Sequence, residues 1–138
     1  MIISRTAEYA LRAVLHVAQH GAEYPVRVAE MAAVLGIPQN YLSKILHRLA
    51  RAGVLSSTRG KTGGFQLAVP AERLALHAVI APFDALAERR QCLLGRPRCT
   101  DRSPCSAHGR WKSVTDTVAA FFTETTVAEL LQEVAISA

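Results

Sequence analysis

Apolar residues recur every three or four positions through the first third of the chain, which predicts three helices separated by short turns. The first helix is predicted over residues 5–20 with Ser4 as its N-cap, and the second over residues 26–35. Gly36-Ile37-Pro38 interrupts the pattern before a third helix over residues 39–52. That third helix is apolar on one side. Its other side is polar and consists of Gln39, Asn40, Ser43, Lys44, His47, Arg48 and Arg51.

The hydrophobic period then changes from that of a helix to that of a strand. Residues 54–58 and 65–69 are predicted to form two strands, joined by a turn over residues 59–64 that is rich in glycine and cations. Pro70 ends the second strand because proline has no N–H to donate. Three helices followed by a hairpin are the plan of a winged helix-turn-helix, so the fold class is predicted as mainly α with a two-stranded wing.

Beyond the wing, the pattern predicts a short helix over residues 72–81 and leaves residues 83–90 without a clear assignment. A long amphipathic helix follows over residues 109–123, and a capping box beginning at Thr126 starts a last helix. The apolar stripe of the long helix predicts a dimerisation seam, with packing against the first helix of the same chain as the alternative. The predicted division is a DNA-binding domain (1–82), a cysteine-containing loop (83–108) and a dimerisation helix with a C-terminal helix (109–138).

Charge is concentrated in one third of the protein. The net charge is +5, and residues 31–71 contain five cations and no acid. This distribution is typical of proteins that bind nucleic acid, although a solvated basic face has the same composition. If the partner is DNA, polar residues of the third helix would read bases in the major groove, and wing cations would contact phosphates. The residues predicted for these contacts are Gln39, Asn40, Ser43, Lys44, Arg48, Arg59 and Lys61.

All three cysteines lie in one segment, with the spacing C-x6-C-x5-C-x2-H from Cys92 through Cys99 and Cys105 to His108. Thiolates are soft ligands that favour iron–sulfur clusters, zinc and Cu(I), and a four-ligand site here needs one ligand that is not cysteine. Cations outnumber acids around the thiols, which predicts lowered thiol pKa values. An odd cysteine count, no secretion signal and no long apolar run together predict a cytoplasmic protein with reduced thiols and no membrane partner.

The segments "SRTAEYALRAVLHVA", "IPQNYLSKILHRLARAGVLSSTRGKTGGFQLA" and "CLLGRPRCTDRSPCSAHGRW" resemble the bacterial IscR and NsrR family of iron–sulfur repressors. The resemblance implies a homodimeric winged-helix regulator with an iron–sulfur cluster in each subunit and a pseudo-palindromic operator in double-stranded DNA. The resemblance points to two alternative candidates for the fourth ligand. His108 matches the IscR-type pattern with a [2Fe–2S] cluster. Glu8, reaching in from the partner subunit, matches the NsrR-type pattern associated with [4Fe–4S].

Simpler roles for both candidate ligands stay open at this point. Glu8 could form an i,i+4 ion pair with Arg12, and His108 could cap the start of the long helix. The predicted function is a transcription regulator that acts as a repressor and whose cluster senses nitric oxide, redox stress or iron–sulfur status. The alternatives are structural zinc on Cys92, Cys99, Cys105 and His108, or a metal-free thiol switch. No phosphate loop, nucleophile elbow or redox CxxC occurs, so no enzyme is predicted.

Overall fold

Helices dominate the protein, and a single two-stranded antiparallel sheet is seen in the part of the chain described here. The structure is a computed structural model that describes residues 3–84, 92–97 and 99–137. The elements in chain order are α1 (Arg5–His20), α2 (Val28–Leu35), α3 (Gln39–Arg51), β1 (Leu55–Thr58), β2 (Gly64–Leu67), a 3-10 helix (Ala71–Arg73), α4 (Leu76–Ile80), α5 (His108–Glu124) and α6 (Val127–Ser137).

Helix α1 lies at the centre of the core. The Ser4 hydroxyl accepts a hydrogen bond from the Ala7 N–H at 3.1 Å, which confirms Ser4 as the N-cap. The buried face of α1 includes Ala7, Ala10 and Ala13, all fully buried, and their small side chains let other helices approach closely. Helices α2, α3, α4 and α6 all pack against α1. Helix α1 therefore contacts both the other helices of the predicted helix-turn-helix and the C-terminal part of the chain.

Helix α2 begins at Val28, and its predicted start at residue 26 is wrong. Val26 instead forms a β-bridge with Phe65, in which each backbone N–H donates to the other residue's carbonyl at 2.9 Å. Gly64 permits this pairing, since a Cβ at that position would lie 2.4 Å from the Val26 carbonyl oxygen and its φ of +151° suits glycine. The bridge ties the base of the wing to the segment before α2.

The wing is shorter than predicted. Strands β1 and β2 have four residues each and pair in register from Leu55 opposite Leu67 to Thr58 opposite Gly64. Helix α3 ends at Arg51, one residue earlier than predicted, and begins directly after its N-cap residue, Pro38. The predicted apolar side of α3 is confirmed. Its buried residues are Leu42, Ile45, Leu46 and Leu49.

The helix predicted over residues 72–81 is replaced by a 3-10 turn and the five-residue α4. Between them the backbone is extended at Leu74, whose carbonyl accepts from the Val127 N–H at 2.8 Å, while the Leu76 N–H donates to the Thr125 carbonyl at 3.0 Å. Pairing with the chain that precedes α6 therefore prevents a continuous helix. This partner lies about fifty residues further along the chain, so no local pattern reveals it.

Helix α5 extends one residue beyond the prediction at each end, and α6 begins after the predicted cap. The Glu129 N–H donates to the Thr126 hydroxyl at 3.3 Å, which confirms Thr126 as the capping residue. Helix α6 packs against α1 and the 3-10 helix. Of the predicted apolar stripe of α5, Phe122 is buried, whereas Val114 is 54% and Phe121 is 49% exposed.

Two further expectations concern the unassigned segment and the absence of a membrane span. Most of the segment left unassigned at residues 83–90 lies outside the described residues. Across the ranges that the structure describes, none of the helices combines the length and the apolar character needed to cross a bilayer.

Candidate metal centre and nucleic-acid interface

The three cysteine thiols converge. Their sulfur atoms all lie within 4.8 Å of one another, and the side chains are half-buried. Cys92 Sγ lies 3.5 Å from Cys105 Sγ, and Cys99 Sγ accepts a hydrogen bond from the Cys105 backbone N–H at 3.4 Å. The clustering predicted from their positions in one segment is therefore seen as a three-sulfur group.

Short turns bring the thiols together. A turn after Cys92 places the Gly95 N–H 3.0 Å from the Cys92 carbonyl oxygen, and Gly95 has a φ of +79°. A second turn pairs Thr100 with Ser103, whose N–H donates both to the Thr100 carbonyl and to its hydroxyl at 3.1 Å. These turns fold the chain between the cysteines, so that sulfurs as far as thirteen residues apart in sequence lie 3.5 Å from each other.

His108 lies beside this three-sulfur group as the first residue of α5. Its Nδ1 is 3.2 Å from Cys99 Sγ, and its Nε2 is 2.7 Å from Asp101 Oδ1. The N-cap of α5 is Ala107 and makes no side-chain hydrogen bond. The ring of His108 thus contacts the loop on both of its nitrogen atoms, and it adjoins the sulfur group through Cys99.

The thiols differ in acidity. The backbone N–H of Arg96 is the main cause that lowers the pKa of Cys92 to about 7, with help from the Cys105 side chain. For Cys99, the Cys105 N–H favours the thiolate, but desolvation and the neighbouring thiols of Cys105 and Cys92 outweigh it and raise the pKa. The prediction of generally lowered thiol pKa values is therefore wrong for Cys99, because crowding of like groups opposes the ionisation of a second thiol.

Asp101 connects the loop to α5. Its Oδ2 lies 3.2 Å from Lys112 Nζ, and its Oδ1 receives the His108 contact. The hydrogen bond from His108 and then the ammonium group of Lys112 lower the pKa of the Asp101 carboxyl. The sequence reasoning did not single out Asp101. The one sequence feature that could have identified Asp101 is its position between the candidate ligands Cys99 and Cys105.

The residues present fit a metal centre. Zn–S bonds of about 2.3 Å place the sulfurs of one tetrahedral ion about 3.8 Å apart, close to the 3.5 Å between Cys92 and Cys105. A cavity of about 290 Å³ adjoins the group and is also lined by Leu93, Trp111 and Thr115 of the loop and α5. Three soft donors, an imidazole and adjacent space together are consistent with binding of a metal ion or an iron–sulfur cluster.

Glu8, the other candidate ligand, lies in the first turn of α1 and is half-buried. Within the described ranges, no ion pair joins it to Arg12. The Arg12 guanidinium instead donates to the Leu35 carbonyl at 2.6 Å and lies over the Tyr9 ring. Glu8 as a ligand supplied by a partner subunit stays a prediction.

The predicted DNA contacts lie on the outer side of α3 and at the tip of the wing. Gln39, Asn40 and Lys44 are exposed, whereas Ser43 is half-buried. The two wing cations, Arg59 and Lys61, are also exposed. The apolar side of α3 packs into the core, so its polar side is left available for a partner.

Arg48 makes a contact within the chain that the sequence did not reveal. Its guanidinium carbon lies 5.1 Å from the centre of the Phe83 ring, near the start of the segment that leads to Cys92. At the other end of α3, the Tyr41 hydroxyl is hydrogen-bonded to the Thr6 hydroxyl, and the Tyr41 ring packs edge-on against Tyr9. Both ends of α3 are thus held by aromatic contacts to other parts of the chain.

Comparison with known proteins agrees with this arrangement. A family model described as "Rrf2: Iron-dependent Transcriptional regulator" matches residues 3–133. The HTH-type transcriptional regulator IscR of Vibrio atlanticus (strain LGP32) is 31% identical over 133 residues, covering 96% of this chain and 76% of that protein. IscR of Serratia proteamaculans (strain 568) is 32% identical over 131 residues, covering 95% and 79% of the two chains.

Solved structures support the fold. IscR of T. potens aligns with a TM-score of 0.76 at 23% identity, covering 96% of this chain and 87% of that chain. CymR of B. subtilis, described as the global cysteine regulator, aligns with a TM-score of 0.79 at 20% identity, covering 95% and 96%. These neighbours confirm the winged helix-turn-helix fold, and the relatives confirm a transcription regulator rather than an enzyme. The chain belongs to the Rrf2 family of transcription regulators and is of the IscR type.

Proposed function

We propose that the protein is a homodimeric regulator whose DNA binding is controlled by an iron–sulfur cluster held by Cys92, Cys99, Cys105 and His108. The observation that carries the proposal is the convergence of three thiols beside an imidazole at the start of α5. We favour His108 over Glu8 as the fourth ligand because its Nδ1 is already 3.2 Å from Cys99 Sγ. Mixed cysteine and histidine ligation suits a [2Fe–2S] cluster, and [4Fe–4S] with Glu8 is the alternative.

The cluster, when bound, would supply sensitivity to nitric oxide, oxidants or iron–sulfur status. The chain's own residues would transmit its state. His108 begins α5, which packs against α4, and α4 packs against α1. A change in ligation that moves His108 would therefore act on the helix that supports α3. DNA affinity would change only as far as ligation stabilises one arrangement of these helices over another.

The first two residues of the cysteine-containing loop support a second connection to the DNA-reading region. Phe83 lies against Arg48 of α3, and the buried Asp84 accepts a hydrogen bond from the Ser4 N–H at 2.7 Å. Residues 83 and 84 thus contact both α3 and the start of α1. We propose that a displacement of the loop would alter its contacts with these two helices and so shift their positions.

The dimer would form along α5. Val114 and Phe121 remain about half exposed on this helix, as expected for side chains that a second subunit covers. A two-fold dimer reads two half-sites, so the operator would be a pseudo-palindrome in double-stranded DNA. In this scheme residues 1–82 read DNA, residues 83–108 hold the cluster, and residues 109–138 contribute the dimer helix together with α6. The protein would act in the cytoplasm, with repression as the simplest mode.

Replacing Arg59 by alanine tests the wing. We expect weaker DNA binding and a slope of log affinity against log salt that is reduced by about one, because one phosphate contact and its released counterion are lost. Fluorescence anisotropy at several salt concentrations measures this slope. Arg73→Ala is the control, since Arg73 is an exposed cation on the 3-10 helix that packs against α6. An unchanged slope in Arg59→Ala would place the wing away from the phosphates.

The cluster is tested on protein purified without oxygen. We expect iron, acid-labile sulfide and visible absorption, and a change in affinity for a DNA fragment selected from random sequence when the cluster is removed. Reconstitution should restore the original affinity. A folded, iron-free protein that takes up no cluster and binds its selected DNA equally well before and after reconstitution would contradict the proposal.

Structural zinc is the second candidate, and the compact sulfur group favours it. The Cys92 and Cys105 sulfurs are 3.5 Å apart, close to the spacing of two ligands on one tetrahedral ion. Elemental analysis of the same anaerobic preparation separates the two candidates, because a zinc protein contains no acid-labile sulfide. A preparation free of both metals that forms a disulfide on oxidation would instead support the metal-free thiol switch.

A further inference from the structure

We propose that Asp101 is a positioning residue of the metal centre, which holds the His108 ring so that its unprotonated Nδ1 faces the three thiols. This inference rests on the proposed function, since it needs a metal or cluster bound at the cysteines. It assigns a role to a carboxylate that lies between the second and third cysteines and is not itself a ligand.

The two nitrogens of His108 have different neighbours. Nε2 lies 2.7 Å from Asp101 Oδ1, whereas Nδ1 lies 3.2 Å from Cys99 Sγ. An ionised carboxylate can only accept a hydrogen bond, so the proton of the neutral imidazole belongs on Nε2. The lone pair is then on Nδ1, the nitrogen beside the sulfur group. A histidine that binds a metal through one nitrogen commonly donates its other N–H to a carboxylate in this way.

Lys112, which lies on α5 together with His108, also contacts Asp101. Its Nζ lies 3.2 Å from Asp101 Oδ2 and 3.5 Å from Oδ1. His108 and Lys112 are four residues apart on α5 and therefore lie on the same side of it. The carboxylate thus bridges two donors of α5 and connects the loop to the imidazole.

The expected contribution of Asp101 to metal affinity is limited because its side chain is exposed to solvent. The Asp101 side chain is 72% exposed and that of Lys112 is 50% exposed, whereas that of His108 is only 19% exposed. Water can therefore replace part of what Asp101 provides. Loss of a carboxylate of this kind usually lowers metal affinity by about 10- to 100-fold, and we expect about tenfold here.

The test uses the full-length reduced protein and zinc ions in competition with a chromophoric chelator. We expect Asp101→Ala to bind zinc about tenfold more weakly than the unaltered protein. Asp101→Asn should recover part of the affinity, because the amide oxygen can still accept from Nε2. Glu124→Gln is the charge control, since Glu124 is an exposed acid at the far end of α5. Its zinc affinity should not change.

A second measurement separates positioning from a general loss of charge. Nitrogen NMR of the imidazole in the metal-free, reduced protein should show the Nε2–H tautomer of His108 in the unaltered protein, and a mixture of tautomers in Asp101→Ala. Equal zinc affinity and an unchanged tautomer in Asp101→Ala would overturn the role of Asp101 while leaving the metal centre intact. An unaltered protein that binds neither zinc nor a cluster at its cysteines would overturn both proposals.

Discussion

A Cys99→Ala variant purified without oxygen is expected to contain no iron–sulfur cluster and to lose the cluster-dependent change in DNA affinity. Cys99 occupies the middle of the group, where its sulfur contacts both His108 Nδ1 and the Cys105 N–H. Its removal leaves two thiols and takes away the sulfur that contacts the imidazole. Too few donors then remain for a stable four-ligand site. The fold should persist, because Cys99 is half-buried and lies outside the hydrophobic core.

Iron and sulfide content, visible absorption and DNA affinity of the anaerobic variant measure this effect. Ser106→Ala is the matched control, because it removes an exposed hydroxyl from the same loop without removing a donor. The control should keep its cluster and its regulated DNA binding. A Cys99→Ala protein with full iron and sulfide content would show that the cluster is held elsewhere, and a far-ultraviolet circular dichroism spectrum matching that of the unaltered protein excludes misfolding as the cause of a loss.

Leu46→Ala is expected to lower the free energy of unfolding by about 2–5 kcal/mol. Leu46 is fully buried on the inner side of α3, where that helix meets the core around α1. Truncation removes buried apolar surface and leaves a cavity that the neighbouring side chains fill only in part. Since a domain of this kind is stable by about 5–15 kcal/mol, the change removes a large share of the total.

Urea unfolding followed by circular dichroism gives the free energy of unfolding of each variant. Val34→Ala is the control, because Val34 is an apolar residue on the neighbouring α2 that is 70% exposed. Its replacement should change stability by no more than about 0.5 kcal/mol. A loss below about 1 kcal/mol in Leu46→Ala would mean that α3 is not anchored in the core through this side chain.

Local signals allowed much of the fold to be predicted. Ser4 and Thr126 cap the helices that follow them, and the division of α3 into an apolar and a polar side follows from its sequence. The errors occurred where distant segments pair. Val26 bonds to Phe65, which delays α2, and Leu74 bonds to Val127, which divides the helix predicted over residues 72–81. Such hydrogen bonds depend on how the chain folds back, and no periodic pattern encodes them.

The same distinction applies to the candidate site. That Cys92, Cys99 and Cys105 form one group could be predicted from their presence in one segment, since soft donors gathered in this way favour a shared metal site. Which nitrogen of His108 faces the thiols, and that Asp101 takes the other, could not be predicted. Both depend on the loop folding onto the first turn of α5, which packing and hydrogen bonds between separate segments determine. The residue types therefore determine the chemistry of the donors, and the fold of the chain determines their orientation.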